Sequence, residues 1–158
     1  MNQELQIQLS KEIPRYSHKI SGTVKFHEVD LAGFVHNIQY LYYFEYARTE
    51  YMKNLGFKLD SRNFMKELPL MVVHSEIDYY SPAGFGDEYE IYTRISKIGK
   101  TSITFENIIR LKNGIILAKG IAVLVYFDSN TFHSTEIPDN YKKMIIDYEL
   151  DEIEITHY

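Results

Sequence analysis

The 158-residue chain has no cysteine and no tryptophan. Without thiols, a disulfide scaffold, a thiolate zinc site and a cysteine nucleophile are all excluded. No apolar run approaches the roughly 18 residues of a membrane-spanning helix. Met1 to Lys11 is polar and mixed in charge, without the apolar core of a signal peptide. A cytoplasmic location and no membrane partner are expected. Basic runs are also missing: 17 Lys and Arg are dispersed among 22 Asp and Glu, and the net charge is −5. A nucleic-acid binder normally carries a basic patch or stripe, so no nucleic-acid partner is expected. Gly-x-Ser-x-Gly and the Walker and Rossmann glycine patterns are absent. There is no internal repeat, low-complexity tract or Pro/Gly-rich linker, and the length fits one domain over 1–158.

What is present is aromatic and periodic. The chain carries 14 Tyr and 9 Phe, and amphipathic tyrosine suits pocket walls and subunit interfaces. Tyr16 to Val29 alternates. Tyr16, His18, Ile20, Val24 and Phe26 fall on one face, with Ser17, Lys19, Ser21, Thr23, Lys25 and His27 on the other. This predicts a half-buried strand. From about Asn37 the period changes. Tyr40, Phe44, Ala47, Tyr51 and Leu55 form a helical stripe, with Leu41 and Met52 beside it. Asn37 is a good N-cap type and Gly56 suits the stop. The helix expected is about 19 residues, roughly 28 Å long. Four strands should follow: Leu70 to Tyr80, Asp87 to Ile98, Thr101 to Lys112 and Ile115 to Phe127. Asn113-Gly114 marks the hairpin between the last two. In the last strand Ala118, Gly120 and Ala122 oppose Ile121, Val123 and Val125, which predicts a central strand covered on both faces. Pro138 opens a short helix to about Tyr148. The acidic residues after it are expected to be mobile. The fold class is α+β: five antiparallel strands wrapped around one long helix, with a core of about 16–128. An open sheet leaves edges, and edges invite a second copy.

The chemistry concentrates between the first strand and the long helix. Asp30-Leu31-Ala32-Gly33 breaks the alternation and places a carboxylate in a glycine turn just before a helix N-terminus. A helix N-terminus offers unbonded N–H groups and partial positive charge. Those groups can hold an oxyanion while the carboxylate attacks or activates water. The same pattern is also ordinary turn and capping chemistry.

The combination Asp30, Ala32-Gly33, Val35, Asn37 and Tyr40, followed by Phe44-Glu45-Tyr46-Ala47-Arg48, resembles the hotdog thioesterases of the 4-hydroxybenzoyl-CoA thioesterase and YbgC-like acyl-CoA family. Tyr80-Ser81-Pro82-Ala83 and Gly86-Asp87 resemble that family's segment between its second and third strands. The resemblance covers about 16–127. It implies a hotdog fold and hydrolysis of an acyl-CoA thioester, with Asp30 as nucleophile or general base. Asn37 would orient substrate or water. The backbone amides around Val35, His36 and Asn37 would be oxyanion candidates. Tyr40, Tyr43, Phe44 and Phe34 would offer an acyl pocket. No cofactor is implied beyond the coenzyme A of the substrate. The partner set is an acyl-CoA and further copies of the chain, as a homodimer or homotetramer. An acyl carrier protein thioester, or a non-catalytic acyl-CoA-binding module, is the alternative. A dehydratase is a weaker variant, lacking a placeable His–carboxylate arrangement. Leu31 and the His36-Asn37 pair depart from better-known branches and bear on the substrate.

Other ionisable groups admit several readings. His74, Glu76 and Asp78 share one strand face. They read as a solvent face, as a metal stripe or, for His74, as part of the cleft wall. No metal ligand set is assigned. Glu45 and Arg48 read as a structural ion pair. Arg94, Lys97, Lys100 and Lys119 carry the right charge for the phosphates of coenzyme A.

Overall fold

The computed structural model describes residues 3–156. In chain order these form α1 (Gln3–Glu12), β1 (His18–Thr23), α2 (Gln39–Asn54), α3 (Phe64–Glu67), β2 (Leu70–Tyr79), β3 (Glu88–Ile98), β4 (Ser102–Leu111), β5 (Ile116–Tyr126), α4 (Asp139–Tyr148) and β6 (Glu154–Ile155). The sheet order is β1-β3-β4-β5-β2, antiparallel throughout, and β6 adds to β3 in parallel.

The long helix organises the rest. Tyr40, Tyr43, Phe44, Ala47, Tyr51 and Met52 recur three and four apart, so α2 carries a continuous apolar stripe that the concave side of the sheet must bury. The stripe divides between two clusters. At one end Tyr40, Tyr43, Phe44 and Ala47 meet Val24, Ile91, Ile109 and Ala118; at the other Tyr51 and Met52 meet Ile95, Phe105 and Ile145. The small residues of β5 now have a reason. The ring of Phe44 occupies the space above Gly120, where a Cβ would come within 2.5 Å of it.

The opposite face of the sheet is covered by α1. Leu9 packs with Tyr16, Tyr92, Ile108 and Ile116. Gln6 makes two hydrogen bonds to the backbone of Ile116, donating through Nε2 and accepting through Oε1. They lie beside an irregularity in the β4–β5 register, where the regular ladder is interrupted.

Three expectations are corrected. The strand predicted over 16–29 ends at Thr23, and Phe26 points out to solvent at 78% exposure. Glu28, buried beneath the loop, is the reason. Its carboxylate accepts from the Lys25 N–H and the Tyr43 hydroxyl, and Phe26–Glu28 becomes a 3-10 turn. The helix starts at Gln39, with Ile38 as its cap residue and no side-chain cap from Asn37. Finally, the acidic tail is packed. Glu149 accepts from the Tyr51 hydroxyl and the Ile95 N–H, and Asp151 bridges Arg15 and Arg94. His157 and Tyr158 lie outside the described residues. The remaining strands, the Gly114 hairpin turn and α4 fall where the periodicity placed them, within a residue or so.

Two stability tests follow. Gly120→Ala places a methyl group against Phe44 and is expected to cost about 1–3 kcal/mol through overpacking. Thermal denaturation reads it; an unchanged midpoint shows that the ring gives way. The Glu90 carboxyl is held down to about 2, by the Lys19 ammonium first and then by Tyr92 and Arg110. A carboxyl depressed in the fold adds stability that is complete above its unfolded value near 4.5 and is lost as pH falls towards 2. Urea midpoints between pH 6 and 2 should therefore fall more steeply in the wild type than in Glu90→Gln.

Candidate active site

Asp30 sits in a tight loop whose two sides are joined by the Val29–Val35 bridge. Its N–H donates to Phe34 O at 2.7 Å, and the Gly33 N–H donates to Asp30 O. Gly33 has φ of +83°, a conformation that residues with a Cβ resist. The Asp30 carboxylate takes part in this turn through one oxygen only. Oδ1 accepts from Ala32 N–H at 2.8 Å and Phe34 N–H at 3.3 Å, while Oδ2 meets no donor among the described residues. The side chain is exposed. The turn reading and the catalytic reading are thus compatible in one residue, because the turn orients the carboxylate and leaves one oxygen open.

The loop is tied to the β2–β3 connection. Val35 N–H donates to Ala83 O at 2.8 Å, and Phe34 bridges Gly84. Between the two segments lies a cleft of about 320 Å³, lined by Phe34, Asn37, Tyr40, Tyr79, Tyr80 and Pro82 among others. Tyr40 and Tyr79 meet edge to face, with centroids 5.3 Å apart, and the Tyr79 hydroxyl donates to Asn37 O. Burial pushes the Tyr40 hydroxyl up to about 12, helped by Tyr79, so it stays a neutral donor at neutral pH.

The oxyanion candidates separate clearly. The Val35 amide is engaged with Ala83, and the His36 amide donates to Glu28 O at 2.9 Å. His36 itself is exposed and serves the helix start: its Nδ1 accepts from the Ile38 N–H, and its carbonyl from the Gln39 N–H. The amides of Asn37 and Tyr40 donate to no group among the described residues. They are the unbonded donors of the α2 N-terminus, where the helix dipole is positive.

Other expected site residues are placed elsewhere. His74 pairs with Val123 on the face of the sheet turned away from α2. Its imidazole reaches only Glu76, at 3.5 Å, and both side chains are exposed. It does not line the cleft. Among the described residues no group of three metal-ligating side chains comes together. Glu45 and Arg48 form no ion pair; burial lowers the Arg48 guanidinium, and Glu45 offsets part of that. Of the four cations considered for phosphate, Arg94 is engaged by Asp151, Lys97 by Glu154 and Lys119 by Glu12. Tyr43 and Phe44 are core residues rather than cleft lining. Sequence reading missed Glu28 and Tyr79. Nothing local marks Glu28 as buried, whereas Tyr79 adjoins the Tyr80-Ser81-Pro82-Ala83 segment already singled out.

Comparisons with known proteins identify the family. A family model described as the thioesterase-like superfamily matches residues 24–145. The acyl-CoA thioesterase YbgC of Haemophilus influenzae is 28% identical over 119 residues, which is 75% of this chain and 87% of that protein. A chloroplastic acyl-acyl carrier protein thioesterase of Arabidopsis thaliana is 28% identical over 134 residues, 83% of this chain and 68% of that one. Among solved structures, a Thermus thermophilus thioesterase complexed with coenzyme A and Zn superposes with a TM-score of 0.77 at 27% identity, covering 88% of this chain and 98% of that one. Its fold is the helix-in-sheet arrangement described above, and the chain belongs to the thioesterase-like superfamily as a YbgC-like hotdog thioester hydrolase.

Proposed function

We propose that this protein hydrolyses acyl-CoA thioesters to free acid and coenzyme A, with Asp30 as the nucleophile or general base. The observation that carries the reading is the divided Asp30 carboxylate: Oδ1 is pinned by two amides and Oδ2 is open, on a loop that borders the Tyr40–Tyr79 cleft. In the general-base form, Oδ2 takes a proton from water as its oxygen bonds to the thioester carbon. The carbonyl oxygen becomes an oxyanion, held by the Asn37 N–H with the α2 dipole behind it. Collapse restores the carbonyl, breaks the C–S bond and expels the thiolate of coenzyme A, which takes up a proton. In the covalent form Oδ2 attacks the thioester carbon first and expels the coenzyme A thiolate, which takes up a proton; water then cleaves the resulting anhydride, releasing the acid and restoring the Asp30 carboxylate. The Asn37 side chain orients substrate or water in either form. Neither form calls on a metal or redox cofactor.

The protein acts as a homo-oligomer in this reading, residing in the cytoplasm. β2 is an edge strand with Met71, Val72 and Val73 all exposed, a template for pairing with a second copy. Such a copy would roof the groove for the pantetheine arm and give a dimer or a tetramer. An acyl carrier protein thioester is the second reading, supported by the Arabidopsis relative. Against it, the chain is net acidic at −5, and an acidic carrier needs a basic docking face.

Thiol release from a panel of acyl-CoAs tests the assignment. Asp30→Asn should lower turnover about 100-fold or more and leave the fold intact. Equal activity of the two proteins would move the chemistry to another group. A wild type inert towards every CoA ester but active on an acyl carrier protein substrate would select the second reading.

A further inference from the structure

Two separate hollows lie beside α2. The first is the cleft at the start of α2, with Asn37, Tyr40 and Tyr79. The second lies further along the helix, where Arg48, Thr49 and Met52 face Leu70 and Val72 of β2, with Leu59, Phe64 and Leu68 supplied by the α2–β2 connection. Its volume is about 110 Å³. A dry apolar cavity of about 150 Å³ takes a benzene, so this one suits a slightly smaller hydrocarbon group.

The strip between them follows α2 and β2. Strand alternation, shifted by one residue at the bulge between Val72 and His74, puts Val72, Ser75, Ile77 and Tyr79 on one face, opposite Leu124, Ala122, Gly120 and Ala118 of β5. Phe44 rests over Gly120 on the buried side of the strip. Leu41, at 43% exposure, and Val72, at 46%, leave apolar surface open along it.

We infer that this strip is an acyl channel, and that the protein selects unbranched medium-length acyl groups whose methyl end enters the pocket at Thr49 and Val72. The inference rests on the proposed thioesterase reading and specifies its substrate. The distance sets the length. From Tyr40 to Arg48 the helix advances about 12 Å at 1.5 Å per residue. An extended chain advances about 1.2 Å per bond, since three backbone bonds span at most about 3.6 Å. About ten bonds therefore separate the thioester end from the far pocket. Decanoyl to dodecanoyl groups reach it and butanoyl groups do not. Each further methylene that leaves water should improve kcat/KM by about fourfold, until the pocket is full. Glu45 and Arg48 also line the pocket, and their aliphatic stems add to its wall.

The experiment is a chain-length profile of kcat/KM from butanoyl-CoA to hexadecanoyl-CoA, for the wild type, Thr49→Phe and Leu59→Phe. Wild type should rise to a maximum near ten to twelve carbons. Each filled variant should lower the dodecanoyl-to-butanoyl ratio at least tenfold. A flat wild-type profile, or a ratio unchanged in both folded variants, overturns the channel. If the wild type cleaves no CoA ester, the hydrolase reading has failed. The channel is then judged separately, by calorimetric binding of butanoate, octanoate and dodecanoate to the same proteins. Affinity that grows with length in the wild type and is lost on filling supports the channel, and affinity independent of length overturns it.

Discussion

The packing of the α2 stripe into the concave sheet is the constraint on which the rest depends. An aromatic helix face cannot lie against a sheet whose inner positions are all large, because protein interiors are packed too densely to absorb the overlap. β5 meets the requirement with Ala118, Gly120 and Ala122, and the Phe44 ring fills the space that Gly120 leaves. That seat determines where the helix begins relative to the sheet. It therefore determines where the Asn37 and Tyr40 amides stand relative to Tyr79, and which part of β2 can form the far wall of a groove.

Glu28 carries this constraint to the candidate catalytic loop. Its carboxylate accepts from Tyr43 on the helix and from Lys25 in the loop, and its carbonyl accepts from the His36 amide. A buried carboxylate is costly unless its lone pairs meet donors, so the loop and the first turns of α2 are bound together. Asp30 is exposed, yet the turn that aims it is anchored to the core through Glu28 and to the β2–β3 connection through Val35 and Ala83. Strict positioning on such an anchored frame is what acyl transfer chemistry requires.

The two chain ends reinforce the sheet from outside the matched family region. α1 shields the outer face through Leu9 and supplies the Ile116 backbone with partners through Gln6. The C-terminal segment holds Arg94, which is nearly inaccessible, through Asp151, and adds β6 beside β3. Both additions occupy surface that a minimal sheet would leave open, and they direct attention to the β2 edge and the groove beside α2.

Much of this was legible in the residues. The strands of the second half, the Asn113-Gly114 hairpin and the Pro138 helix follow from local period and turn chemistry, which depend on neighbours in sequence. The Asp30 to Tyr40 motif carried the family for the same reason: its turn and helix start are local, and their residue types are specific in combination. Tertiary structure alone decided the rest. Phe26 lies on the apolar side of a clean alternation and still faces water, because Glu28 bonds to Tyr43 fifteen residues away. Val35 and His36 were withdrawn as oxyanion donors by partners at Ala83 and Glu28. His74 fell on the outer face because the β2–β5 register assigned it there. Alternation says that two faces differ; only packing against α2 says which of them is inside.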